Sequence, residues 1–258
     1  MNIQTILTHY STFEEKTLTN RFFKHEDILP LIHLLPAEFK VEQLGNSVNG
    51  KSINAVKWGQ GKTKIMLWSQ MHGDEATGTM AIFDLFNFLQ QENDMATLIK
   101  DNCQLLFIPM VNPDGAAVFT RRNAQQIDIN RDFLQTATPE GKILKQARND
   151  FEPQFGFNLH DQTTLWSVAD SLKPATLSYL APAFDKVLSV NQVRENAMLV
   201  IADMFAELDQ ILPKHIGLFD DEYEPRAFGD NFQAAGTSTI LIEAGGYPND
   251  PEKQQIRK

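Results

Sequence analysis

Four stretches of the chain are short and continuously apolar: 64–69 (KIMLWS), 103–111 (CQLLFIPMV), 155–160 (FGFNLH) and 238–246 (STILIEAGG). Runs of this length bounded by turn residues predict strands buried on both faces. Between them the period changes. Met80, Phe83, Phe86 and Leu89 fall at helical spacing and predict a helix over 75–91. Further helices are predicted at 139–152 and 186–209, the latter with Val187, Val190, Ala197, Val200 and Met204 as ordinary core positions. Upstream, 39–45 (FKVEQLG) and 52–59 (SINAVKWG) predict two short strands around a turn-rich segment. Residues 24–34 predict a short amphipathic helix interrupted by Pro30. Apolar strands alternating with helices predict an α/β sheet covered on both faces, with any chemistry beyond the strand ends.

Composition narrows the class. The 258 residues are 42% hydrophobic and 22% charged, as in a globular protein, and no linker divides them. One domain over 1–258 is expected, with 1–37 as a lead-in. The net charge is 23 − 33 = −10, which argues against nucleic acid or an anionic membrane as the main partner. No apolar run approaches the ~20 residues of a membrane-spanning helix. The start lacks a basic segment followed by an apolar one, so a cytoplasmic location is expected. The single cysteine, Cys103, cannot form an intrachain disulfide, and inside an apolar run it reads as core. Nothing in the pattern specifies an oligomeric state.

Polar residues at the ends of three apolar runs carry the candidate chemistry. His72-Gly73-Asp74-Glu75 follows the first run, His160 closes the third and Glu243 lies near the end of the fourth. Two histidines and a glutamate can hold zinc and leave a fourth position for water. Taken singly, each has a plainer explanation. An H-x-x-E pair is frequent by chance, glutamate being favoured at helix N-termini, and a lone interior histidine is more often a satisfied core residue. The segment 112–133, NPDGAAVFTRRNAQQIDINRDF, concentrates Arg121, Arg122, Arg131, Asn123 and Asn130 in an acidic chain. Guanidinium groups bind carboxylates bidentately, although a solvated basic loop would look the same. Gly61-Lys62-Thr63 lacks the glycine a phosphate loop needs five positions earlier, and no G-x-S-x-G elbow is present.

Taken together, HGDE, NPDG, RRN…DINRD, NLH and ILIE resemble the zinc metallocarboxypeptidases of the carboxypeptidase A-like group, in that family's order. GNSVNGKSI is similar to the family's upstream G-x-S-x-x-G-[RK]-x-I segment, and the resemblance covers about 38–247. It implies a three-layer α/β/α fold with a mixed, mostly parallel twisted sheet of about eight strands. It implies one zinc ion per chain on His72, Glu75 and His160, with Asp128 orienting the first histidine. By the same similarity Asn130 and Arg131 grip a substrate's terminal carboxylate, and Arg121 steadies the oxyanion, with Arg122 as the alternative if the register slips. Glu243 matches the general base. Tyr223 is the candidate for the tyrosine the larger members carry on a mobile loop, with Tyr247 less suited.

The implied reaction is hydrolysis of a C-terminal peptide bond in a substrate with a free carboxylate. An N-acyl amino acid substrate, as for aspartoacylase-like and succinylglutamate desuccinylase-like relatives, is the second reading, and a non-catalytic zinc- or carboxylate-binding module the third. An ungapped count puts side-chain selection near Phe228–Asn231, where Phe228 would favour apolar and Asp230 basic residues. Residues 161–180, with Trp166, are expected to form a loop over the site. Asp250-Pro251-Glu252-Lys253 reads as a capped helix start, and the family pattern continues beyond it, so a truncated chain is expected.

Overall fold

The computed structural model describes residues 3–162 and 165–258. It opens with α1 (Ile3–His9) and α2 (His25–His33), followed by the strands β1 (Lys40–Asn46), β2 (Ser52–Gly59) and β3 (Thr63–Ser69). Next come α3 (Thr77–Leu89), α4 (Asp94–Asn102), β4 (Cys103–Ile108), α5 (Pro113–Val118) and α6 (Pro139–Phe151). The chain ends with β5 (Phe155–Asp161), β6 (Leu177–Leu180), α7 (Gln192–Leu208), β7 (Ile216–Leu218), α8 (Phe228–Ala234) and β8 (Ser238–Ala244).

The eight strands form one mixed sheet in the order β1-β2-β4-β3-β5-β8-β6-β7. The central strands β4, β3, β5 and β8 run parallel. Antiparallel pairs close both sides, β1-β2-β4 on one and β8-β6 on the other. This is the α/β architecture expected. Met66, Trp68, Leu106 and Ile108 pack against α6 and α8 through Leu144, Phe151, Phe228 and Phe232. Trp58, Leu105 and Phe107 pack against α2 and α3 through Ile28, Ile32, Phe83 and Phe86. Alternate residues of a strand point to opposite faces, so one set of buried strands serves both helix layers. The lead-in belongs to this core, since Tyr10, Phe13, Leu18 and Phe23 are buried in it.

Several boundaries depart from the pattern. Pro30 lies inside α2 without breaking it. The carbonyl its missing N–H leaves free belongs to exposed Glu26, where water can serve it. The long helix starts at Gln192, where Asn191 caps it by accepting from Arg194 N at 2.9 Å. The tail after β8 makes turns rather than a helix. Asp250 does cap it, accepting from the N–H groups of Gln254, Gln255 and Ile256, but Lys253 adopts a left-handed φ of 54° that stops propagation. Among the described residues no helix is long and apolar enough to cross a membrane.

Both ends of the chain are fastened to α3. Arg257 is 4% exposed, and its Nη2 and Nε contact the Asp84 carboxylate at 2.5 and 2.8 Å. Tyr10 donates to the same carboxylate at 2.5 Å, and burial, first, with Asp84 beside it, pushes the phenol far above its usual range. Removing one partner of a buried ion pair leaves an uncompensated charge. Asp84→Ala is therefore expected to cost about 3–5 kcal/mol, read as a lower urea midpoint at unchanged slope. A loss under 1 kcal/mol would contradict the packing described.

Candidate active site

The site is built where three parallel strands end. In the β5–β8 register His160 pairs directly with Glu243, so the two side chains stand on the same face of neighbouring strands. The turn after β3 brings the third element. Gln70 takes a left-handed φ of 50°, and its buried side chain holds the turn by donating to Gly73 O at 3.0 Å and accepting from Thr79 Oγ1 at 2.8 Å. Gly73 is needed there, because a Cβ would lie 2.0 Å from the Gly115 carbonyl carbon.

His72, Glu75 and His160 are buried, and their donor atoms lie within 4.8 Å of one another. His72 Nδ1 is 2.7 Å from Glu75 Oε1, His160 Nδ1 is 2.6 Å from Glu75 Oε2, and the two Nδ1 atoms are 3.1 Å apart. Ligands at ~2.0–2.1 Å from a tetrahedral zinc stand about 3.3 Å from one another, so the convergence fits this ion. The donor set also suits zinc: two imidazoles and one carboxylate.

Charge is distributed unevenly in this cluster. Burial alone would raise the Glu75 carboxyl, but the facing His160 and His72 rings hold it well below the usual carboxylate range. Burial pulls His72 down, yet the Glu75 charge and the Asp128 hydrogen bond outweigh it and push the ring up to about 9. His160 is lowered, mainly by burial. Glu243 is raised to about 8, by burial first and then by the charges of Glu75 and Asp161.

The loops around the cluster account for the remaining motifs. NPDG is not a free turn. It is the N-cap and first turn of α5, with Asn112 Oδ1 accepting from Gly115 N at 2.9 Å and Pro113 at the first helical position. Asp114 accepts from Asn49 N, and Glu140 accepts from Val48 N and from Asn123 Nδ2. The segment 45–53 is thereby docked against the 112–133 loop. Asn123 Oδ1 accepts from the N–H groups of Gln125 and Ile127, shaping the bend that leads to Asp128. Asp128 Oδ1 is 3.1 Å from His72 Nε2, and its Oδ2 accepts from Arg121 Nε at 3.0 Å. Arg121 Nη1 lies 3.1 Å from His72 Nδ1 and 3.2 Å from Glu75 Oε1. Arg122 points elsewhere, donating to Gln126 O, and does not line the cleft.

The cleft, about 280 Å³, is lined by His72, Glu75, His160, Glu243, Arg121, Asn130 and Arg131 together. Asn130 Oδ1 accepts from Phe228 N at 3.0 Å, which fixes its amide. Arg131 Nε is paired at 3.1 Å with Glu224, which Arg226 also holds. Tyr223 does not line the cleft, although its neighbours Glu222 and Glu224 do. Tyr247 lies outside it, 5.7 Å from the His215 ring. Phe228 is fully buried in the core with Phe133 and Phe232, whereas Asp230 reaches the cleft. Trp166 lines it, but the segment expected as a loop over 161–180 begins on the last residue of β5 and ends in β6 (Leu177–Leu180), and residues 163 and 164 lie outside the described residues. Glu224, Asp161 and Gln162 also line the cleft and were not singled out from sequence. Asp161 could have been found, since it follows His160 directly. Cys103 is half-buried at the start of β4, and burial raises its thiol pKa, as befits a core position.

A family model described as zinc carboxypeptidase matches residues 31–181. Carboxypeptidase 2 of Trichophyton rubrum is 29% identical over 102 residues, covering 39% of this chain and 19% of that relative. A metallo-carboxypeptidase from Burkholderia cenocepacia superposes with a TM-score of 0.68 at 17% identity, over 86% of this chain and 59% of that one. Bovine thrombin-activatable fibrinolysis inhibitor superposes with a TM-score of 0.73 at 13% identity, over 94% of both chains. The match therefore spans about a fifth of the curated relative's length, and the structural likeness, at these identities, is one of fold.

The cluster makes metal uptake testable without a substrate. His72→Ala removes one of three donors and is expected to abolish stoichiometric zinc binding, measured by elemental analysis after dialysis. Retention of one zinc per chain by that variant would exclude the triad as the site.

Proposed function

Because this chain belongs to the zinc carboxypeptidase family, we propose that it is a zinc-dependent exopeptidase cleaving the C-terminal peptide bond of a substrate with a free carboxylate. One observation carries the reading: His72, Glu75 and His160 converge in a cleft that also holds Glu243, Arg121, Asn130 and Arg131. Zinc on the triad supplies Lewis acidity and lowers the pKa of water when bound. The rest is done by the chain's own groups. Glu243 accepts a proton from the attacking water and passes it to the leaving amine. Arg121, held by Asp128, donates to the oxygen on which negative charge develops. Asn130 and Arg131 position the terminal carboxylate, which exchanges with Glu224 at the Arg131 guanidinium.

The substrate's side chain meets an acidic wall. Asp230, Asp220 and Glu222 line the cleft, and Phe228 does not. This favours a basic C-terminal residue over an apolar one. A peptidase is favoured over an N-acyl amino acid deacylase by the match to the zinc carboxypeptidase model. A cytoplasmic setting belongs to the same proposal and rests on the sequence alone.

Glu243→Gln is expected to keep zinc and to lower kcat by ~10²–10⁴ with an N-blocked dipeptide. The base works only when ionised, so activity falls as pH drops through its pKa. Burial places that pKa at about 8, and a neighbouring cation lowers it, so the acid limb of kcat/KM should lie below pH 8. Near-full activity of Glu243→Gln would refute the mechanism, and cleavage of N-acetylaspartate with no dipeptide turnover would shift the assignment to a deacylase.

Burial raises the Asp230 carboxyl to about 6, so its charge is present above that pH and lost below it. The preference for C-terminal arginine over phenylalanine should therefore grow between pH 5 and 7, and Asp230→Asn should flatten it. A preference independent of pH and of Asp230→Asn would exclude this residue as the selector.

A further inference from the structure

Lys253 combines two costs. Its backbone is left-handed, at φ 54°, a region only a few per cent of non-glycine residues adopt. Its side chain is also buried, the residue being 5% exposed, and burying an ammonium is expensive unless it is paired and hydrogen-bonded. Strain of this kind persists where the surroundings hold it, and it concentrates at functional sites. The partners are specific. Nζ donates to the Ala244 carbonyl at 2.6 Å and lies 3.4 Å from Asp161 Oδ2.

Ala244 follows Glu243, Asp161 follows His160, and the two are cross-strand partners. One ammonium therefore touches the end of the strand carrying His160 and the end of the strand carrying Glu243. Asp161 extends the connection. Its Oδ2 accepts from Thr77 Oγ1 at 2.8 Å at the start of α3, and its N–H donates to Glu75 Oε2 at 3.2 Å. The lysine closes a polar chain that runs through the segments bearing Glu75, His160 and Glu243.

We propose that Lys253 is a positioning residue of the active site, clamping the ends of β5 and β8 through Asp161 and Ala244. The inference rests on the zinc reading of the triad. Without the ammonium, the buried Asp161 carboxylate loses its cation and keeps only Thr77, and the Ala244 carbonyl loses one of its two donors, beside His160 and Glu243. Loss of a partner that holds ligands in place commonly weakens metal binding by ~10–100-fold.

The test compares Lys253→Met with Arg257→Met in the full chain. Both remove a buried cation from the same tail, but Arg257 pairs with Asp84 and contacts none of the triad. Zinc dissociation constants come from chelator competition, and unfolding midpoints of the zinc-free proteins from circular dichroism. Lys253→Met should bind zinc about tenfold more weakly or worse, while Arg257→Met should lower the midpoint and leave zinc affinity within about twofold. Wild-type affinity in Lys253→Met overturns the proposal. So does an equal loss in both variants, which would make the tail a general anchor. If Lys253→Met does not fold, Lys253→Arg decides. It keeps a cationic donor and should bind zinc within about threefold of wild type, and failure to do so overturns the clamp. A wild-type chain that binds no zinc refutes the zinc reading and the clamp with it, an outcome distinct from a zinc-binding wild type that Lys253→Met matches.

Discussion

An ionised carboxylate buried between two imidazoles sets the terms for the rest of this molecule. Glu75 is 3% exposed and touches His72 Nδ1 and His160 Nδ1 at 2.7 and 2.6 Å. A charge in that position is tolerable only if both partners arrive accurately. The fold supplies that accuracy through parallel register. β3 and β5 are adjacent, so the turn after one meets the end of the other, and β8 on the far side of β5 sets Glu243 beside His160. The left-handed turn at Gln70 and the close approach at Gly73 are local costs of bringing His72 and Glu75 back over the strand ends.

Much of the remaining polar sequence holds this cluster rather than reacting. Asn112, Asn123, Asp114 and Glu140 are buried and tie the loops after β1 and α5 to one another. Their joint effect is to deliver Asp128 to His72 and Arg121 to the edge of the triad. The arginines of this acidic chain are placed the same way. Arg121 has Asp128 and Glu75, Arg131 has Glu224, and Arg194, 2% exposed, holds the loop before α8 through Asp221. Guanidinium groups keep donors in reserve beyond one partner, so such pairing positions them without using them up.

The strands that build the site were legible because they are buried on both faces. The runs 64–69, 103–111, 155–160 and 238–246 are apolar for that reason, and His72, His160 and Glu243 stand out as polar groups beside them. β6 and β7 were not legible, since four and three residues are too few to show a period. α5 was not legible, because asparagine and proline mark helix starts and turns alike, and only the bond from Gly115 N to Asn112 decides between them. α8 carries Gly229 and no clear stripe, so nothing distinguished it from loop. The tail misled for a physical reason. Its cap at Asp250 is genuine, but the ammonium of Lys253 is drawn to Asp161, a contact distant in sequence that no local signal reveals, and the backbone turns left-handed at Lys253 instead of continuing a helix.

The coordination of the bound metal tests the central claim most directly. X-ray absorption at the zinc edge of the loaded protein should show only nitrogen and oxygen at ~2.0–2.1 Å, with two imidazoles among the scatterers. A sulfur scatterer near ~2.3 Å, or a shell without imidazole, would place the metal away from His72, Glu75 and His160 and contradict the account.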